Sequence, residues 1–331
     1  MMLATTSGAR KRRSNRLGLT LGVAAALFAG AAPNASAIEY ESLGASFTDA
    51  NGQALRQAGA HGDVRVKFEV PARDPDAVFG EGSFPIEQPH RLVLDLPPGL
   101  VGNPTSTDTC PASQLKAGSN GTVALCPAGA QVGVAVIRSE AAFGFVQAAP
   151  VYNIERPVDK PALFAFTYGA VTVKLAPTVR AGDFGITMDS GTISQGIGIK
   201  AADVTLWGVP ADPAHDPLRS PSGGLLACLG SDASDPSMCF NGGASVSTSP
   251  KPFLSLPTNC DASGNEFTAR LDGWDSVGSF ATRTFSEDID GSPFALTGCE
   301  NLPFDPAVET RASSAVADAP TGLEVDVRVP Q

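Results

Sequence analysis

The chain has 331 residues and a formal net charge of −11; 17% of its residues are charged and 43% hydrophobic, with 35 glycines and 27 prolines. That apolar content excludes a disordered chain, and the acidic balance argues against a nucleic-acid binder or a ligand for anionic membrane surfaces. Gly/Pro turns between short Val, Ile, Phe and Thr runs point instead to an all-β protein.

Arg10, Lys11, Arg12, Arg13 and Arg16 precede an apolar run from Leu17 to Ala32, and Ala35-Ser36-Ala37 follows as an A-x-A cleavage site. Residues 1–37 therefore read as a signal peptide, with a mature chain from Ile38 that is secreted, extracellular or held at the cell surface. Arg12-Arg13 is a faint twin-arginine signal, but disulfides formed after export favour the general secretory route. The leader carries five basic residues and no acid, so the mature chain has a net charge near −16. Its length suggests about two domains. No run of 18 apolar residues follows, so no transmembrane span is expected after cleavage.

The first strand is expected from Ile38 to Thr48, and then Ala58 to Gly62 forms a turn. From Asp63 to Val70 apolar and charged residues alternate. Val64, Val66, Phe68 and Val70 share one face, and Asp63, Arg65, Lys67 and Glu69 the other, as in a half-buried strand. Arg91–Leu96 is the next strand, stopped by Pro97-Pro98-Gly99. A short helical turn is expected near Ala112–Ala117. Strands follow at Gln131–Arg138, Ala149–Ile154, Ala162–Tyr168, Val171–Leu175, Phe184–Met188, Thr192–Ile193 with Ile197–Ile199, and Asp203–Trp207. The spacing fits an antiparallel β-sandwich or barrel, and we take an antiparallel sandwich as the expectation. Residues 38–214 form its domain. Residues 215–303 are expected to form a smaller, disulfide-stapled β domain, with strands at Pro252–Leu256, Glu266–Leu271, Ser276–Arg283 and Phe294–Leu296. Residues 304–331 are expected to hold a linker without periodicity, Asp305–Thr321, and then the alternating strand Leu323–Val329 as the start of a possible further repeat. This last stretch echoes Asp63–Pro71, so the chain reads as the N-terminal part of a longer repeat architecture.

Six cysteines in an exported chain read as three disulfides. Proximity favours Cys110–Cys126, Cys228–Cys239 and Cys260–Cys299. The absence of C-x₂-C spacing and the presence of only three histidines disfavour zinc.

Three blocks carry a resemblance. The first is Leu96-Pro97-Pro98-Gly99-Leu100-Val101-Gly102-Asn103-Pro104 with Cys110, Cys126-Pro127 and Gln131–Val134. The second is Leu206–Asp216, and the third Pro252–Cys260 with Thr297–Phe304. Together they resemble large uncharacterised secreted repeat proteins of soil actinobacteria. The resemblance runs from about residue 60 to the end of the chain. It implies an extracellular, longer architecture and no particular chemistry.

Chemistry-bearing residues are few, and no catalytic, cofactor-binding or metal site is expected. Met188-Asp189-Ser190-Gly191-Thr192 matches the core of an aspartic-protease motif, but that mechanism needs two carboxylates sharing a proton and the motif occurs once. A turn is the expected role. His61 lies in a Gly turn and His90 at a strand start. Asp212, His215 and Asp216 could bind a metal or poise a base, against a proline-stiffened connector exposed to solvent. Glu287–Ser292 and Asp74-Pro75-Asp76 look faintly like calcium loops but lack the remaining oxygens. Trp274, among Asp272, Gly273 and Asp275, is expected to be exposed and could stack on a sugar, whereas Trp207 and Tyr152 are expected to be buried. The leading expectation is a non-enzymatic secreted or cell-surface structural or binding protein, with envelope components or glycans as partners. The alternatives are a secreted hydrolase, aspartic-protease-like or metal-assisted, and a carbohydrate-binding module.

Overall fold

The computed structural model describes residues 37–74, 83–115, 126–139, 146–169, 171–219, 243–261, 264–302 and 306–328. All but the last residue of the expected signal peptide lie outside this set, as do Cys228 and Cys239. The strands in chain order are β1 (Ser42–Thr48), β2 (Asp63–Glu69), β3 (Pro89–Asp95), β4 (Val101–Gly102), β5 (Gln131–Ser139), β6 (Val146–Asn153), β7 (Phe164–Tyr168) and β8 (Val171–Val179). They continue as β9 (Ile186–Asp189), β10 (Ile199–Leu206), β11 (Leu254–Ser255), β12 (Phe267–Gly273), β13 (Ala281–Phe285), β14 (Ala307–Ala312) and β15 (Leu323–Arg328).

Eleven strands make one antiparallel sheet in the order β1-β2-β10-β5-β6-β7-β8-β9-β3-β12-β13. The turn in this sheet comes from β8. Its first half, Val171–Leu175, pairs with β7, and its second half, Ala176–Val179, pairs with β9. Pro177 lies in the second half and cannot donate to a ladder, so the strand carries a ladder defect beside the point where it changes partner. The sheet thus folds over, and the inner faces of its two halves meet as in a sandwich.

The two ends of the sheet come back together. Ala45 of β1 bridges Asp288, just beyond β13, and the Ile289 N–H donates to the Ala45 carbonyl at 3.0 Å. Phe47 of β1 packs on Phe267 of β12 at 5.9 Å and on Phe294 at 5.2 Å between ring centroids. Phe267 stacks on Phe285 at 5.4 Å. The result is an all-β fold with one large, nearly closed antiparallel sheet.

This closure corrects the expected division at residue 214. The strands expected to form a separate small domain join the main sheet: β12 pairs with β3 over Thr268–Gly273 and Asp95–Pro89. The segment after residue 243 has too few large aliphatics to bury a core of its own. Its Phe253, Phe267, Leu271 and Phe294 complete a core shared with β1, β2 and β5. Two further expectations change. Residues 197–206 hold one strand, β10, in place of two, and Phe294 and Leu296 are buried without forming a ladder.

Cys110–Cys126 and Cys260–Cys299 are disulfides, separated by 16 and 39 residues. The expected linker over Asp305–Thr321 contains β14, which pairs with β15 in a separate two-stranded hairpin from Ala307↔Arg328 to Ala312↔Leu323. No helix among the described residues is long and apolar enough to cross a membrane.

Candidate functional site

Alternation in β2, β3 and β10 sends Val64, Val66 and Phe68, then Leu92 and Leu94, then Val204 and Leu206 to the inside of the folded sheet. With Leu175 of β8 and Met188 of β9 they line an apolar cavity of about 100 Å³, closed at its margins by Leu96, Leu100 and Leu254. Inward-facing aliphatics are normally sealed, yet Val66, Leu92, Leu175, Met188, Val204 and Leu206 are only half-buried. The two halves of the sheet are therefore splayed here, and the cavity is reached from outside. Ser190 is its one polar side chain. The Ser190 hydroxyl accepts from the Leu92 N–H at 2.9 Å and donates to the Gly191 carbonyl at 3.0 Å, so the lining makes no polar demand. Water gains few hydrogen bonds in such a space, and apolar matter gains dispersion contacts.

On the outer face, charges pair across strands. Arg65 of β2 makes a forked contact with Asp203 of β10, and Arg270 of β12 one with Asp95 of β3. Arg91 of β3 holds Asp189 of β9 in the same way. The Arg91 guanidinium beside Asp189 keeps that carboxyl below its usual range, with burial opposing and the Gly191 N–H adding to the effect. Asp189 is thus an ion-paired turn residue. Gly191 adopts a φ of 60°, in keeping with a turn at Asp-Ser-Gly.

Asp212, His215 and Asp216 do not converge. Asp212 caps the 3-10 turn Pro213–Leu218 by accepting from the Ala214 N–H at 2.9 Å. Asp216 accepts from the Arg219 Nε at 2.9 Å. The His215 side chain, expected on a connector exposed to solvent, is buried. Its Nε2 lies 3.0 Å from Oδ2 of Asp63, whose Oδ1 accepts from the Gly208 N–H at 2.7 Å. The His215 ring stacks on Trp207 at 4.4 Å and 9°, and the Arg219 guanidinium carbon lies 5.0 Å from the indole centroid. Gly208 is required at this junction, because a Cβ there would come within 2.2 Å of the His61 carbonyl oxygen. Sequence reasoning placed Asp63 on the charged outer face with Arg65, and the partnership with His215 across 152 residues has no local signature.

The other candidates are also engaged. The His61 Nδ1 lies 3.1 Å from the Leu254 carbonyl, and the His90 Nδ1 3.0 Å from Asp272 Oδ1. Trp274, expected to be exposed, is half-buried: its N–H donates to the Ile193 carbonyl at 3.0 Å and its ring meets His90 edge-on at 4.7 Å. In the Glu287–Ser292 turn, Asp288 accepts from the N–H groups of Asp290 and Ser292 and pairs with Arg56, as in a β-turn. Asp74-Pro75-Asp76 falls largely outside the described residues. Comparison with protein-family models, curated proteins and solved structures gives no match.

Proposed function

We propose that the chain is an exported, non-enzymatic binding protein that takes a small apolar ligand, or the apolar end of an amphiphile, between the two halves of its sheet. The observation that carries this reading is the accessible, almost wholly apolar cavity with its half-buried Val, Leu and Met walls. The leader sequence supports export, and the disulfides are compatible with an oxidising compartment.

The cavity limits the affinity. A space of about 150 Å³ accepts one benzene, so this one encloses about four heavy atoms, and the rest of a larger ligand lies across its open mouth. At roughly 1 kcal/mol per atom, below the ceiling for very small ligands, the enclosed atoms by themselves give a dissociation constant of about 1 mM, and contacts at the mouth tighten it. The test is titration of the purified chain with N-phenyl-1-naphthylamine, followed by displacement with C8 to C16 fatty acids. Wild type is expected to bind saturably, and Leu92→Trp and Met188→Phe, which fill the cavity, to bind at least tenfold more weakly. Absence of saturable binding, or equal binding by the filled variants, overturns the reading.

A further inference from the structure

A second site lies beyond the Trp207–His215 stack. Pro210 and Arg219 line a polar cleft of about 280 Å³ together with the Thr105–Asp108 loop and residues Thr248, Ser249 and Lys251. Its floor is Arg219, which is 1% exposed. Two of the three guanidinium nitrogens are used: Nε donates to Asp216, and Nη2 to the Pro210 carbonyl. Nη1 is buried without a hydrogen-bond partner. Protein interiors leave few donors in that state, because each one costs about 1–3 kcal/mol. Around this floor, Asp108, Thr248, Ser249 and Lys251 are exposed and have no side-chain partner among the described residues.

The balance of charge selects the ligand class. Asp216 neutralises Arg219, and the rim places the Asp108 carboxylate opposite in sign to the Lys251 ammonium. The chain as a whole is acidic. A phosphate or sulfate therefore meets no net positive field, although donors are at hand. What the cleft does offer is a set of strong donors, a strong acceptor and, besides the engaged hydroxyls of Thr105, Ser106 and Thr107, the two of Thr248 and Ser249 within one small space. Sugar hydroxyls each donate and accept, so a polyol satisfies all of these groups at once. We propose that this cleft binds an uncharged saccharide. Its volume sits at the lower limit of small-molecule sites, which suits about one or two sugar rings.

The test titrates the full purified chain with glucose, galactose, mannose, N-acetylglucosamine and their disaccharides, with inorganic phosphate as the anion control, by calorimetry and by ligand-observed NMR. At least one neutral sugar is expected to bind saturably. Asp108→Ala and Lys251→Ala, both at exposed positions, are expected to weaken it at least tenfold each, with no change in melting temperature and no change in N-phenyl-1-naphthylamine binding. Arg219→Lys is expected to weaken sugar binding through the floor and to lower the melting temperature, since lysine cannot reproduce the contacts with Asp216, the Pro210 carbonyl and Trp207, and if that variant fails to fold the two rim variants still decide. No neutral sugar bound at millimolar concentration, sugar binding indifferent to both rim variants, or tighter binding of phosphate than of any sugar overturns the proposal. Loss of naphthylamine binding alone touches only the apolar cavity.

Discussion

Asp63 is the residue on which a local reading and the folded chain differ most. It opens β2, and its position in the alternation groups it with Arg65, Lys67 and Glu69, all of which stay on the outer face. Asp63 is buried because β10 ends beside it. The Gly208 N–H, past the last ladder pair Leu206↔Val64, needs an acceptor, and the carboxylate supplies one while its other oxygen meets His215. Removing it leaves a buried backbone donor and a buried imidazole nitrogen without partners. Asp63→Ala is expected to cost about 2–4 kcal/mol in urea unfolding. Asp63→Asn, which keeps an acceptor for Gly208, is expected to cost less. Equal losses for both would show that the Gly208 bond contributes nothing. An apolar strand position announces its neighbours by period, whereas a polar one at a strand end takes whatever the next segment brings, and for that reason neither Asp63 nor Arg219 stood out in the sequence.

Among the elements, the β14–β15 hairpin stands apart. The ladder places Val308, Thr310 and Ala312 opposite Val327, Val325 and Leu323, so these six share one face. Glu309, Arg311, Glu324, Asp326 and Arg328 occupy the other. The apolar face is open: Val308 is 61% exposed, Leu323 68% and Val327 60%. Of the strand expected at Leu323–Val329, the described part Leu323–Arg328 is a strand; its partner had no clear signal, since Ala307–Ala312 is short, mixed in composition and preceded by Asp305-Pro306. An isolated two-stranded hairpin is marginal in water. Deleting residues 305–331 is therefore expected to move the melting temperature by less than about 2 °C, measured by circular dichroism. A fall of more than about 5 °C, corresponding to roughly 1–2 kcal/mol, would mean that the hairpin docks on the sheet.

At the scale of the molecule, stability depends on contacts far apart in sequence. The sheet is brought round by β8 and held at its ends by the Phe47, Phe267 and Phe294 cluster, which joins residues more than 200 positions apart. Closing such loops is entropically costly, and the disulfides reduce that cost in the unfolded chain. In the chain-entropy model the 39-residue separation of Cys260–Cys299 contributes about 4 kcal/mol and the 16-residue separation of Cys110–Cys126 about 3. Paired Cys→Ser replacements, compared by urea denaturation, are expected to destabilise in that order. The reverse order, or losses under about 1 kcal/mol, would show that the loop regions are already restricted when unfolded.

The sequence by itself indicated the all-β class, the inward face of β2, the approximate positions of β3, β5 to β7 and β9 with the first half of β8, and, by proximity, the pairing of the two described disulfides. Each of these follows from short-range physics: a period of two, proline and glycine at turns, and the proximity of cysteines along the chain. Only the tertiary structure decided that β3 lies between β9 and β12, that residues 243–302 complete the same core, and that Val66, Leu92, Met188 and Val204 face one another across an open space. A strand's pattern states which face is apolar but not what will lie opposite it. That choice is made by loop closure and by the shapes of distant side chains, and the cavity and the cleft both exist only where such distant segments meet.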